Sequence, residues 1–165
     1  MTITQKITPF LWFEDQAEEA MNFYTSVFKN SKIVSTHYYP EGSDDPHMKG
    51  MEGKVLTGIF ELEGQKFMCL DGGPIFKFNE SISFYVECEG QEEVDELWGK
   101  LSAVPESEQC GWLKDKYGVS WQIIPKQLGE YLSSPDKEKA GRAMQAMMQM
   151  KKIEIAKLKE AYEGK

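Results

Sequence analysis

Two stretches of the chain show the same order of apolar patterns, in which a strand is followed by a helix and then by further strands. In the first stretch a β-branched and aromatic run from Ile7 to Phe13 predicts a strand, and apolar residues from Ala17 to Phe28 recur at helical spacing. Three more strands are predicted, at Ile33–Tyr38, Val55–Leu62 and Gln65–Leu70. The first stretch is therefore one unit of strand, helix and three strands.

A second unit begins at Ser81, where polar and apolar residues alternate as far as Val86. A helix is predicted from Gln91 to Leu101, and two strands follow it, one around Trp112 and one at Val119–Ile124. The helix starts of the two units align, Glu18-Glu19-Ala20 with Glu92-Glu93-Val94, which indicates a duplicated module.

Two segments lie outside this duplicated pattern. The loop from Pro40 to Lys54 is rich in Gly, Pro and Asp and suits a mobile cover over a site. From Asp136 to Tyr162 an approximate apolar stripe predicts one long helix. This helix either packs on its own domain or docks on a second subunit, where flexible Met side chains fit irregular surfaces. The second interpretation, a homodimer, is favoured because the two modules already cover their own sheets.

Composition narrows the partners and the compartment. The chain has 165 residues, and 27 acidic against 19 basic side chains give a formal charge of −8, which argues against a nucleic-acid partner. No apolar run is long enough to span a membrane, and the polar start at Thr2 and Thr4 leads us to expect a cytoplasmic protein. The three cysteines have no CxxC spacing and are expected to be reduced.

Several segments together resemble the PhnB-like branch of the vicinal-oxygen-chelate (glyoxalase/bleomycin-resistance) superfamily. That branch often carries the label 3-demethylubiquinone-9 3-methyltransferase. The resemblance runs from about Ile7 into the C-terminal helix. Its motifs are Pro9-Phe10-Leu11-Trp12-Phe13, Ala17-Glu18-Glu19-Ala20, Gly72-Gly73-Pro74, Gln109-Cys110-Gly111-Trp112-Leu113, Tyr117-Gly118 and Ser120-Trp121-Gln122-Ile123-Ile124-Pro125.

The resemblance implies an α+β fold in which two βαβββ modules form a curved mixed sheet around a cavity. We therefore expect a single domain over residues 1–165, with modules at about 7–71 and 81–125 and the C-terminal helix at about 136–162. Metal-dependent members of the superfamily draw ligands from the first and last strand of each module. The corresponding positions here are Thr8, Cys69 or its neighbour Met68, Ser81 and Gln122.

Of these positions only Gln122 is a plausible ligand, and a weak one, because a catalytic divalent site normally has about three His, carboxylate or thiolate ligands. We therefore predict no cofactor, and we disfavour a divalent metal. His37, at the end of a strand, and His47, in the long loop, do not change this expectation.

Strand alternation predicts which side chains line the cavity. The cavity face then combines aromatic rings with neutral hydrogen-bonding groups, which suits a planar or apolar small organic ligand. Each aromatic residue taken alone is also compatible with an ordinary core position. The candidates are Thr8, Phe10, Trp12, Cys69, Asp71, Asn79, Ser81, Ser83, Tyr85, Trp112 and Gln122.

Two of these candidates also carry possible chemistry. Asp71 and Asn79 flank a Gly-Gly-Pro turn that could bring them to the cavity mouth, where Asp71 is either a base or a solvated turn residue. Cys69 is either a nucleophile or a structural thiol, and no His is placed near it by sequence, which favours the structural role.

Three functions follow from these residues. The favoured one is a small-molecule-binding protein with a degenerate metal site. The second is an enzyme of the superfamily that performs isomerisation, ring opening or group transfer, and the third is a drug-sequestering protein of the bleomycin-resistance kind. The methyl transfer named in the family label has little support, because the chain has neither a Gly-rich cofactor turn nor singly alternating strands and helices.

Overall fold

A computed structural model describes residues 4–165, and contacts within it divide the chain into two compact units that meet in sequence between Phe78 and Asn79. The division falls between the two predicted modules. Met1 and Thr2, at the predicted polar start, lie outside the described residues. Within residues 4–165, no helix has both the length and the apolar character needed to cross a membrane.

The first unit is a four-stranded sheet with one helix on one face. Its strands follow the order β1-β4-β3-β2, with β1 parallel to β4 and the other neighbours antiparallel. The elements are β1 (Phe10–Phe13), α1 (Ala17–Val27), β2 (Lys32–Tyr38), β3 (Val55–Leu62) and β4 (Gln65–Asp71).

Helix α1 covers the sheet face that carries Leu11 and Phe13, both of which are buried. Its own buried residues recur at helical spacing, which is why this amphipathic segment packs as a helix. The helix passes very close to β3, since a Cβ atom at Gly58 would lie only 2.6 Å from the sulfur of Met21. Glycine therefore permits the close approach of α1 and the sheet at this point.

The second unit repeats this plan with a shorter sheet and a helical extension. The strand order is β5-β7-β6, in which β5 is parallel to β7 and β6 is antiparallel to it. The elements are β5 (Ser83–Cys88), α2 (Gln91–Leu101), a 3-10 turn (Pro105–Ser107), β6 (Trp112–Lys114), β7 (Ser120–Pro125), α3 (Lys126–Leu132), α4 (Lys137–Met148) and α5 (Ile155–Glu163).

An irregular segment runs beside β6, in the place that β2 has in the first unit. The amide of Ala103 donates to the carbonyl of Lys114 (3.0 Å), and Gln109 forms an antiparallel bridge with Trp112. Between these two pairings lies the 3-10 turn that begins at Pro105, and proline cannot donate to a strand ladder. The module is therefore duplicated, but the strand that corresponds to β2 is incomplete in the second copy.

The expectation of one long helix from Asp136 to Tyr162 is wrong, because the structure has two helices, α4 and α5, separated by residues 149–154. Met150 and Ile153 in this break are buried, in one cluster with Leu158. The carbonyls of Met150 and Lys151 accept hydrogen bonds from the amides of Cys110 (2.8 Å) and Gly111 (2.7 Å). Long-range pairing thus takes the backbone groups that a continuous helix would use itself.

The Gln91 side chain fixes the same break from α2. Its amide nitrogen donates to the carbonyl of Ile153 (3.0 Å), and its carbonyl oxygen accepts from the amide of Ile155 (2.8 Å). The C-terminal helices therefore pack on their own unit. Met144 and Met148 remain exposed on α4, and a homodimer through this face stays a prediction.

Candidate functional site

The sheet of the second unit has one face covered by α2 and an opposite face that carries polar and aromatic side chains. Three of the predicted site residues form a row across all three strands of that opposite face. Tyr85 on β5 pairs with Gln122 on β7, and Gln122 pairs with Trp112 on β6. Cross-strand partners point to the same side of a sheet, so the amide of Gln122 lies between two aromatic side chains. We call Tyr85, Gln122 and Trp112 the central row.

The amide of Gln122 is held in place by its neighbour on β5. Its nitrogen donates to the hydroxyl oxygen of Ser83 at 2.9 Å. Ser120, which pairs with Ser83 across the strands, is only 2% exposed, and its hydroxyl has no hydrogen-bond partner among residues 4–165. Strand alternation along β7 predicts that Ser120 shares a face with Gln122.

The two aromatic side chains of the central row are uncharged. Tyr85 is 58% exposed, and partial burial together with the nearby Glu87 carboxylate raises the pKa of its phenol, which therefore stays protonated near neutral pH. Trp112 is half-buried. At the end of the same face, Lys114 forms an ion pair with Glu80.

The first unit also has a sheet face that α1 does not cover, and Phe10 and Trp12 lie on it. These residues pair with Met68 and Leu70 on β4, so this face is more apolar than that of the second unit. The indole nitrogen of Trp12 donates to the carbonyl of Gly73 (3.0 Å). Its ring packs over Gly72, where a Cβ atom would lie 2.2 Å from a ring carbon, so the Trp12 ring is fixed.

Three polar candidates lie at the starts of strands. Thr8 is half-buried and precedes β1. Asn79 and Ser81 are exposed and precede β5, where the Asn79 side-chain oxygen accepts from the amide (2.9 Å) and the hydroxyl (2.6 Å) of Ser81. This local turn is typical of Asn and accounts for both side chains.

The structure does not bring Asp71 to a mouth or a solvated turn. Asp71 ends β4 and is 2% exposed. One carboxylate oxygen accepts from the amide of Ala17 at the start of α1 (2.8 Å), and the other from the amide of Val55 at the start of β3 (2.9 Å). Asp71 therefore joins three elements of the first unit, and we remove it from the site.

Cys69 likewise points away from the open face. Its sulfur would lie 2.7 Å from a Cβ atom at Gly58, on the face covered by α1, and the residue is fully buried. Burial, followed by the nearby Asp71, raises the pKa of the Cys69 thiol to about 12. Its neighbour Met68 takes the open-face position instead, so Cys69 has the structural role.

The burial of two of the three cysteines predicts their reactivity. Cys88 is also buried, and burial raises the pKa of its thiol to about 12 as well. Because the thiolate is the reactive form, we expect iodoacetamide at pH 8 to alkylate only the partly exposed Cys110 in the native protein, as measured by mass spectrometry. A Cys110→Ser variant should then gain no label until it is denatured, and rapid labelling of Cys69 in the native chain would contradict the burial.

The residues at the superfamily's metal positions do not fit a divalent metal. Thr8, Met68 and Ser81 are not ordinary ligands for zinc, nickel or iron, and Gln122 alone is a weak one. Over the described range, 4–165, no group of three or more His, Cys, Asp or Glu side chains is placed to hold a metal ion. His37 and His47 are exposed in β2 and in the long loop.

Two small mixed sheets, each with a helix on one face, define an α+β protein of the glyoxalase fold. The chain belongs to the PhnB-like family whose model is described as 3-demethylubiquinone-9 3-methyltransferase, and this model matches residues 5–124. Both the predicted fold class and the predicted family resemblance are confirmed.

One solved structure supports this assignment, and two others are similar to this chain. A putative 3-demethylubiquinone-9 3-methyltransferase, PhnB protein, from Bacillus cereus is 47% identical, with a TM-score of 0.62 over 73% of this chain and 99% of that chain. A protein from Staphylococcus aureus is 32% identical over 74% of this chain and 97% of its own, with a TM-score of 0.34. A protein from Pseudomonas aeruginosa, 18% identical over 74% and 98%, has a TM-score of 0.53 and shows a likeness of fold alone. No curated protein matches the chain.

The family match ends at residue 124, earlier than the predicted extent into the C-terminal helix. Helices α3, α4 and α5 therefore lie beyond the residues that the family model matches.

Proposed function

We propose that this protein binds a small organic molecule on the open sheet face of its second unit, without a divalent metal held in the superfamily manner. The observation that carries the proposal is the central row, in which two aromatic side chains flank an amide that Ser83 holds in place. Aromatic surface with a few fixed polar groups is typical of small-molecule sites. The absence of a divalent metal from the proposal is supported by the residues at the superfamily's metal positions. Thr8, Met68 and Ser81 are not ordinary metal ligands, and Gln122 alone is a weak one.

The methyl transfer in the family description is not part of this proposal. A methyltransferase of the common type binds its cofactor at a Gly-rich turn of a doubly wound parallel sheet. The described residues form two small sheets of mixed direction instead, with one helix between the parallel strands of each. A homodimer and a cytoplasmic location are further proposals, supported by the exposed Met144 and Met148 and by the polar, acidic composition.

Ligand binding at the central row should be visible through Trp112. We expect one or more members of a library of planar organic molecules to quench the intrinsic fluorescence of the chain, and Trp112→Phe to remove most of that quenching. Gln122→Ala should weaken the affinity about tenfold, because it removes one of the few fixed polar contacts. The measurement is a fluorescence titration, repeated with excess EDTA, which should leave the affinity unchanged.

A matched control is Trp98→Phe, since Trp98 lies on α2, which covers the opposite face of the sheet. This variant should keep the quenching. Quenching that survives Trp112→Phe, or no ligand at all, would contradict the proposed site, whereas a loss of affinity in EDTA would contradict metal-free binding. Mass spectrometry of the mixtures separates the remaining alternatives, because a new product indicates a superfamily enzyme and an unchanged ligand indicates sequestration.

A further inference from the structure

The hydrogen-bonding capacity of Gln122 is only partly used inside the protein. A glutamine amide has two N–H donors and a carbonyl oxygen that accepts. One donor is taken by the Ser83 hydroxyl. No other hydrogen bond of this side chain is found among residues 4–165, so a second N–H and the carbonyl oxygen remain. When the Ser83 hydroxyl takes the N–H that points away from the carbonyl, the remaining N–H and the carbonyl oxygen lie side by side in the plane of the amide. The bond to Ser83 fixes the direction in which this donor–acceptor pair points.

The aromatic neighbours of Gln122 stand at a spacing that suits a planar ring. Tyr85 and Trp112 lie on the two strands that flank β7, so their Cα atoms are separated by two strand spacings, about 10 Å. A flat ring stacked between two aromatic faces needs about 7 Å between those faces, since carbon atoms pack best at about 3.5 Å. The central row is therefore wide enough to hold one ring above the amide of Gln122.

The charges around this position do not favour an anionic ligand, because the carboxylate nearest to Tyr85, that of Glu87, is itself negative. Tyr85 is a neutral phenol, Trp112 is neutral, and Lys114 at the end of the face is paired with Glu80. A carboxylate ligand could accept from the Gln122 N–H, but it would then face the Gln122 carbonyl, another acceptor. An uncharged edge with one donor beside one acceptor satisfies both halves of the amide at once, and no charge has to be desolvated.

We propose that the ligand of this face is a planar heterocycle with a lactam edge, a ring N–H next to a ring C=O, stacked between Tyr85 and Trp112 and paired with the amide of Gln122. The ring N–H donates to the Gln122 carbonyl oxygen, and the ring C=O accepts the free Gln122 N–H. This inference rests on the proposed function, because it names the class of molecule that the same face recognises.

The test uses the full chain labelled with ¹⁵N and two matched probes, 2-quinolone and 1-methyl-2-quinolone. The four indole N–H resonances, from Trp12, Trp98, Trp112 and Trp121, are assigned with single Trp→Phe variants. We expect 2-quinolone to shift the Trp112 resonance with a Kd about tenfold lower than that of its N-methylated form, which has lost the donor and places a methyl group against the Gln122 carbonyl.

Gln122→Met should remove the tenfold difference in Kd between the two probes. The methionine side chain is as long as that of glutamine but has neither an N–H nor a carbonyl oxygen. Gln65→Met is the matched control, since Gln65 is exposed at the start of β4, and it should leave the tenfold preference unchanged. The ¹⁵N spectrum shows directly whether each variant is folded. If Gln122→Met does not fold, the preference between the two probes in the unaltered protein still decides the question.

Equal affinity for the two probes would overturn the lactam inference, and so would a preference that persists in folded Gln122→Met. If neither quinolone binds while another planar molecule shifts Trp112, the lactam inference fails and the proposed function stands. If no molecule of the library shifts Trp112, both fail.

Discussion

Replacing Asp71 by alanine is expected to lower the free energy of unfolding by about 3 kcal/mol, because it leaves two buried amides without acceptors. The amides are those of Ala17 and Val55, at 2.8 and 2.9 Å from the carboxylate. Both lie in the first unit, where the carboxylate joins the start of α1 to the start of β3. Urea denaturation followed by circular dichroism measures the loss.

Two further substitutions make the Asp71 result specific. Asp71→Asn keeps one side-chain oxygen and should lose less stability than Asp71→Ala. Asp44→Ala, in the exposed loop, should change the free energy of unfolding by less than about 0.5 kcal/mol. If Asp71→Ala were as stable as Asp44→Ala, the two amides would have to find other acceptors, and the structural role of the carboxylate would be wrong.

The hydrogen-bond partners of Asp71 could not be predicted from the sequence. An Asp before Gly-Gly has the composition of a solvated turn, and alternation along β4 says nothing about which groups it will meet. Its partners lie 54 and 16 residues away along the chain. Only the packing of α1 and β3 around the end of β4 brings those amides to one carboxylate.

Elements with strong local patterns were predicted closely. The predicted bounds of β3 and α2 agree with the structure, since hydrophobic periodicity and turn residues fix both. The C-terminal segment was predicted less well. Its composition permits one helix from Asp136 to Tyr162, and the break at residues 149–154 arises from hydrogen bonds to Gln91, Cys110 and Gly111, far away in sequence.

The sequence pattern predicts part of the candidate site and leaves the rest open. Period-two alternation places Tyr85 on the open face of β5 and Gln122 on that of β7, and the structure agrees. That Trp112 pairs with the same glutamine depends on the register of two hairpin strands, which the sequence pattern leaves open. The choice between Cys69 and Met68 depends on a single residue of register, and a shift of one residue moves a side chain to the opposite face.

The second large effect is expected at Leu158 in α5. Leu158→Ala should lower the free energy of unfolding by about 3 kcal/mol, the typical loss for a leucine deleted from a packed core. Leu158 is fully buried with Ile124, Met150 and Ile153, so its side chain joins α5 both to the end of β7 and to the break between the helices. The measurement is urea denaturation, followed in parallel by circular dichroism and by tryptophan fluorescence.

Met148→Ala is the control for this prediction, because Met148 is 53% exposed on α4 and should change stability by less than about 0.5 kcal/mol. The two probes of unfolding add a second criterion. The segment at residues 149–154 holds the amides of Cys110 and Gly111, immediately before Trp112, so loss of the helices should disturb β6 as well. We therefore expect the helical and tryptophan signals to change together in Leu158→Ala. An early loss of helical signal with unchanged fluorescence would instead mean that the three helices beyond the family match unfold on their own and do not support the face that carries Gln122.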